Sequence, residues 1–141
     1  MITVNEILKS AIAQGACENA SKATDWTSLA WLLFSPQGGE CCEKHNFPSL
    51  NQFQSIADEN STQHGVYIDK GVVKQDNCDI ALIGDTRGEM VFDDASRVHK
   101  VIVMHGASAF IVARNYAVVR VYNIGDNKVD VHRDKTAVIL R

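Results

Sequence analysis

Small apolar residues occupy almost every second position over the last third of the chain. A period of two places these side chains on one face of extended strands, because successive side chains of a strand point to opposite sides. Most members of this row are Ala or Val and none is aromatic, which predicts a narrow interior and favours a tightly coiled β-structure over a broad sandwich. The row consists of Val101, Val103, His105, Ala107, Ala109, Ile111, Ala113, Ala117, Val119, Val121, Val129, Val131, Ala137 and Ile139.

Turn-forming sequences divide the second part of the chain into many short strands. Many short strands at close spacing predict a β-solenoid-like unit or a small jelly-roll or barrel, and both alternatives stay open because no fixed repeat length is evident. The predicted strands are Val66–Ile68, Val72–Val73, Ile80–Ile83, Met90–Phe92, Val101–Met104, Ala109–Ala113, Ala117–Tyr122, Val129–His132 and Ala137–Leu140.

The alternation of valine and alanine resembles that of polymer-forming or phage-associated β-solenoid proteins. The resemblance covers about half of the chain and includes no specific motif. It implies a stacked β-scaffold.

Residues 1–61 have helical periodicity. A helix is predicted from Thr3 to Gly15, and a second from about Thr24 to the break at Ser35-Pro36. A short helical turn is predicted over residues 40–45, and the capping-box spacing of Ser49 and Gln52 predicts a further helix. The resulting fold class is α+β, with a helical subdomain over residues 1–61 and a β-rich subdomain over residues 62–141. Both parts are also compatible with one compact domain.

Composition excludes several classes of function. The net charge of −3 argues against a broad phosphate-binding surface and therefore against nucleic acid as a partner. The N-terminus has no signal-peptide character, and the longest strongly apolar run, residues 29–34, is far shorter than the ~20 residues that span a bilayer. We therefore expect a cytoplasmic protein without a membrane partner and with reduced cysteines, although release by an unconventional route stays open.

A thiol-dependent hydrolase is one alternative function. Cys41 or Cys42 would be the nucleophile near the start of a helix, and His105 or His99 the base, oriented by Asp85 or Asn115. A helical nucleophile followed by β-strands that carry histidine is compatible with papain-like enzymes, but the local signature of that family around the cysteine is missing. The alternative interpretation is that a cysteine is a small buried residue and that His105 ends a strand.

We predict no metal site and no cofactor. Cys41 and His45 lie four residues apart on the predicted helix, but the further ligands of a zinc site, from Cys17, His64 or Cys78, lack diagnostic spacing. The loop at residues 84–88, with the acidic pair at 93–94, lacks the spacing of a calcium site and is better explained by turn chemistry.

A ligand- or carbohydrate-binding module is a second alternative function. Aromatic and arginine side chains that share an outward face are typical of binding surfaces. The competing interpretation is that the helical part covers this face. The candidate residues, all on the even and outward phase, are Phe110, Arg114, Tyr116, Arg120 and Tyr122.

Self-association is the function that the sequence favours. The last predicted strand reaches Leu140 without a following helix to cover a β-edge, and open edges pair with other chains. We therefore predict a structural or protein-interaction module that forms homo-oligomers through its β-rich part and has no evident catalytic activity, with another protein as a possible partner.

Overall fold

The computed structural model describes residues 30, 33–35, 40, 43–44 and 48–141. The helices with defined bounds in this part of the chain are α1 (Leu50–Ile56) and α2 (Glu59–Gln63). The strands are β1 (Val66–Ile68), β2 (Gly71–Lys74), β3 (Ile80–Ile83), β4 (Thr86–Phe92), β5 (Val98–Met104), β6 (Ser108–Ala113), β7 (Val118–Ile124), β8 (Lys128–Arg133) and β9 (Val138–Leu140). Each predicted strand is therefore present, most with shifted bounds.

The capping box predicted at Ser49 is present at the start of α1. The Ser49 hydroxyl accepts from the Gln52 amide at 3.2 Å, and the Gln52 side chain accepts from the Ser49 amide at 2.8 Å, so two amides at the start of α1 are satisfied. Ala30, Leu33 and Phe34 are helical, as predicted. The first predicted helix lies outside the described residues. The chain divides into two compact units, residues 1–66 and 67–141.

The strands alternate between two sheets as the chain advances. The five-stranded sheet has the order β1-β3-β5-β7-β9, and the four-stranded sheet has the order β2-β4-β6-β8. The pairs from β2–β4 through β7–β9 run parallel. The chain therefore winds as a β-solenoid, and the jelly-roll or barrel alternative is wrong because those folds are built from antiparallel strands.

The solenoid has a repeat that the sequence analysis missed. Ile80 pairs with Val101, 21 residues later, and Val118 pairs with Val138, 20 residues later. The first coil is shorter, since Gly71 pairs with Thr86 only 15 residues later. Changes of length at the corners hide the period, although the dipeptides at 117–118 and 137–138 are an identical Ala-Val one repeat apart.

The predicted row of inward side chains fills the space between the two sheets. Its members from Val101 to Val121 are buried, apart from His105, and Phe92 and Met90 extend the same core into the preceding coil. His105 does not belong to the row, because it lies at the corner between β5 and β6 with φ 58°. That left-handed conformation turns the chain and breaks the alternation of side chains.

Asparagine side chains join successive coils at both rows of corners. Asn127 donates to the carbonyl of Val103 at 3.0 Å and accepts from the amide of Gly106 at 2.8 Å, both in the preceding coil. At the opposite row, Asn77 donates to Asp93 Oδ1 at 2.7 Å and accepts from the Asp93 amide at 2.8 Å. These contacts satisfy corner groups that no strand partner reaches, and they hold neighbouring coils in register.

Candidate interaction surfaces

The structure describes only part of the predicted hydrolase site. Cys41 and Cys42 lie outside the described residues. His105 is half-buried at a corner, in the same row of corners as Asp85, whereas Asn115 lies in the opposite row. His105 and Asn115 are therefore on opposite sides of the solenoid.

His99, the alternative base, is enclosed in the solenoid interior. Its ring lies 5.1 Å from the ring of Phe92 and is fully buried. Nε2 lies 2.8 Å from the carbonyl oxygen of Asp94 and donates to it, since a carbonyl only accepts. Nδ1 has no hydrogen-bond partner. A base buried in this way cannot reach an external substrate.

Asp93 and Asp94, the acidic pair considered above for a calcium site, make contacts at the corner between β4 and β5. Asp93 is engaged with Asn77 and lies 3.6 Å from Arg114, while Asp94 accepts from the amide and the hydroxyl of Ser96. Burial raises the pKa of the half-buried Cys78 thiol, and the Asp79 carboxylate raises it further. Within the described ranges, no three His, Cys, Asp or Glu side chains cluster as metal ligands would.

The five predicted binding residues do not share one face. Phe110 is on the outer face of the four-stranded sheet, and Arg120 and Tyr122 are on the outer face of the five-stranded sheet. Arg114 and Tyr116 are at the corner between β6 and β7. Even-numbered residues of β6 and β7 do point outward, but from opposite sides of the solenoid.

The environments of these residues differ as much as their positions. Tyr122 is only 4% exposed, with the Arg120 guanidinium 5.1 Å from its ring centroid. Tyr116 is 69% exposed and has φ 65°. The Tyr116 amide donates to Thr136 Oγ1 at 2.9 Å in the next coil. This hydrogen bond stabilises the left-handed backbone conformation of Tyr116.

A shallow groove of about 510 Å³ lies on the outer face of the four-stranded sheet. Glu89 lies 3.6 Å from the Lys74 ammonium and 3.8 Å from Arg87 Nε. Of the five predicted binding residues, Phe110 is the one that lines this groove, and its ring also contacts His132 at 4.9 Å. The lining residues are Lys74, Asp76, Arg87, Glu89, Met90, Val91, Phe110 and Val112.

The last coil, formed by β8 and β9, presents the second surface. Each of these strands is the end strand of its sheet, so one side of its backbone has no strand partner among the described residues. Val129, Val131 and Ile139 point toward the interior but are only partly buried. Val138 and Leu140 are 45% and 38% exposed.

Polar side chains line the outer face of β8. Lys128, Asp130 and His132 are all exposed and succeed one another at every second position. At the following corner, the side chain of Asp134 accepts from the hydroxyl of Thr136 at 2.6 Å and from the amide of Asn115 at 3.2 Å. Hydrogen bonds from Thr136 and from backbone amides lower the pKa of Asp134 to about 2. The edge strand is thus flanked by a fixed negative charge.

Comparison of the chain with protein-family models, with characterised proteins and with solved structures gave no significant match. In the described part of the chain, no helix has both the length and the apolar character needed to cross a membrane.

Proposed function

We propose that the protein is a structural or protein-interaction module that self-associates through its last coil. The observation that carries this proposal is the position of β8 and β9 at the ends of the two sheets. Edge strands with unpaired backbone groups are templates for pairing with another chain. Two such edges lie side by side here, and a second copy would engage both.

The side chains of the last coil also favour association. Val129, Val131 and Ile139 are partly buried. Their register partners in the preceding coil, Ala109, Ile111 and Val119, are buried. A second copy stacked on this end would remove the remaining apolar surface from water, which is favourable in proportion to the area buried. The opposite end strand, β2, has four residues against six in β8, so β8 offers the longer edge.

Light scattering on the full-length chain, after size exclusion and across a dilution series, tests this proposal. We expect a dimer or a larger assembly that dissociates on dilution. A monomer at every concentration would contradict the proposal.

A matched pair of variants locates the interface. Val131→Lys places a charge on the inward, apolar side of β8. Charged side chains on an edge strand oppose its pairing with another chain, so we expect this variant to be monomeric. Val72→Lys makes the same change on β2, where the side chain is 62% exposed, and we expect no change in assembly. Circular dichroism shows whether each variant is folded. Dissociation by Val72→Lys alone would place the interface at the other end of the solenoid.

A further inference from the structure

We propose that two copies pair through antiparallel β8 strands about a two-fold axis at Val131, so that Asp130 of each copy faces His132 of the other. This inference rests on the proposed self-association. It adds the register of the interface and the residues that select it.

Symmetry and side-chain parity leave few registers. A two-fold axis perpendicular to the sheet brings the same strand of each copy together in antiparallel orientation and keeps the same face of each sheet on the same side. Each sheet keeps its inner and outer faces only if inward residues of one copy lie opposite inward residues of the other. Because inward residues are two apart, this condition is met when the axis passes through a residue, and it fails when the axis passes between two residues. Within β8, an axis at Asp130 or at Val131 pairs five of the six residues. Axes at the neighbouring positions pair three.

Charge distinguishes the two long registers. An axis at Asp130 brings the two Asp130 carboxylates directly opposite each other and places Lys128 opposite His132. An axis at Val131 replaces these contacts with two pairs of Asp130 and His132, and it places Lys128 opposite Asp134. Two carboxylates directly across two strands repel each other, whereas Lys128 attracts Asp134 and the Asp130 carboxylate accepts a hydrogen bond from the His132 imidazole, so the axis at Val131 is favoured.

The favoured register also accommodates the interior side of the strand. Val131 meets its own copy there, and Val129 lies opposite Arg133 at the strand end. Arg133 Nη1 donates to the carbonyl of Ala137 at 3.3 Å, which keeps its charge at the corner of its own coil. The interior therefore receives valine side chains without an enclosed charge.

Disulfide cross-linking of introduced cysteines shows which residues of the two β8 strands lie opposite each other. In the proposed dimer, the two Val131 residues are directly opposite, at a Cα separation of about 4.5–5.5 Å that a disulfide spans. Val129→Cys is the matched control, because its two copies would be four residue steps apart along the strands, or about 14 Å at ~3.4 Å per residue. We expect oxidation of Val131→Cys to give a 131–131 disulfide and Val129→Cys to give no 129–129 disulfide.

The full-length chain carries four other cysteines, so the linked peptides are identified by mass spectrometry without reduction. A 129–129 link, or the absence of a 131–131 link in protein that is dimeric by light scattering, would overturn the register while leaving self-association intact. A wild-type chain that stays monomeric would overturn both proposals.

A charge exchange tests the pairing independently. Asp130→His and His132→Asp each remove both complementary pairs, and we expect each to raise the dissociation constant about threefold or more. The double variant, Asp130→His with His132→Asp, restores both pairs with their positions exchanged and should recover most of the affinity. Equal weakening in the single and double variants would contradict the proposed register.

Discussion

The coil formed by β4 and β5 and the last coil, formed by β8 and β9, follow the same path but are stabilised differently. Phe92, Met90 and Val101 fill the earlier coil and are fully buried. At the register positions of Met90 and Phe92, the last coil has Val131 and Arg133. Val131 and Ile139 remain partly exposed. The difference indicates that the middle of the solenoid carries most of the apolar stabilisation. At its corner, the last coil has hydrogen bonds from the Thr136 hydroxyl and the Asn115 amide to the Asp134 carboxylate.

Truncation of one large side chain in each coil tests this difference most directly. Phe92→Ala should lower the free energy of unfolding by about 3–5 kcal/mol, because it leaves a cavity lined by His99 and its neighbours. Ile139→Ala should cost about 1–2 kcal/mol, since that side chain is only partly removed from water. Urea denaturation of both variants measures the two values. Equal losses would contradict the comparison.

Gly88 tests how tightly the earlier coil is packed. A Cβ at this position would lie 2.4 Å from Leu82 Cδ1 and 2.7 Å from Met90 Sδ. We expect Gly88→Ala to cost about 1–3 kcal/mol through overpacking, measured by urea denaturation.

The next coil supplies a rescue for this variant. In that coil, Ala109 is the register partner of Gly88, and Val103 is the register partner of Leu82. The double variant, Gly88→Ala with Leu82→Val, reproduces that combination and should be closer to wild type than Gly88→Ala alone. A double variant that is less stable than the single one would show that Leu82 is not the obstacle.

Local patterns were sufficient to predict the strands and most of the core between the two sheets. From Val101 to Val121, small apolar residues alternate with other residues because the side chains on one side of each strand are buried. The row is interrupted at His105 because a left-handed corner residue breaks the alternation, and it resumes at Ala107. Both the row and its interruption are therefore explained by backbone geometry.

Parity alone could not predict which residues share a surface. Phe110 and Tyr122 both have the outward phase, yet β6 and β7 belong to different sheets, so the two side chains point away from each other. Placing them requires the assignment of strands to sheets, which depends on the repeat length. Corners of unequal length concealed that repeat, and with it the groove around Phe110 and the edge of β8.

The smallest expected effect concerns the hydrogen bonds of Asp134 in the last coil. Hydrogen bonds from Thr136, together with those from the Ala137 and Asn115 amides, lower the pKa of this carboxyl to about 2, against about 3.9 in an unfolded chain. A depressed folded-state pKa contributes stability that is present above about pH 4 and is lost as the pH falls toward about 2. Asp134→Asn removes the charge, so we expect the variant to melt below wild type at neutral pH and to converge with it near pH 2.

Asp94→Asn is the matched variant in the earlier coil. The pKa of Asp94 is also lowered, chiefly by hydrogen bonds from the Ser96 amide and hydroxyl, but the bonds shown for its carboxylate stay within its own corner. Asp134 also accepts from Asn115 in the preceding coil, and it therefore joins two coils where Asp94 stabilises one. Thermal melts of both variants between pH 2 and pH 7 should show the larger pH-dependent loss for Asp134→Asn. A larger pH-dependent decrease in melting temperature for Asp94→Asn would contradict this expectation. It would mean that corner hydrogen bonds stabilise the last coil no more than they stabilise the middle of the solenoid.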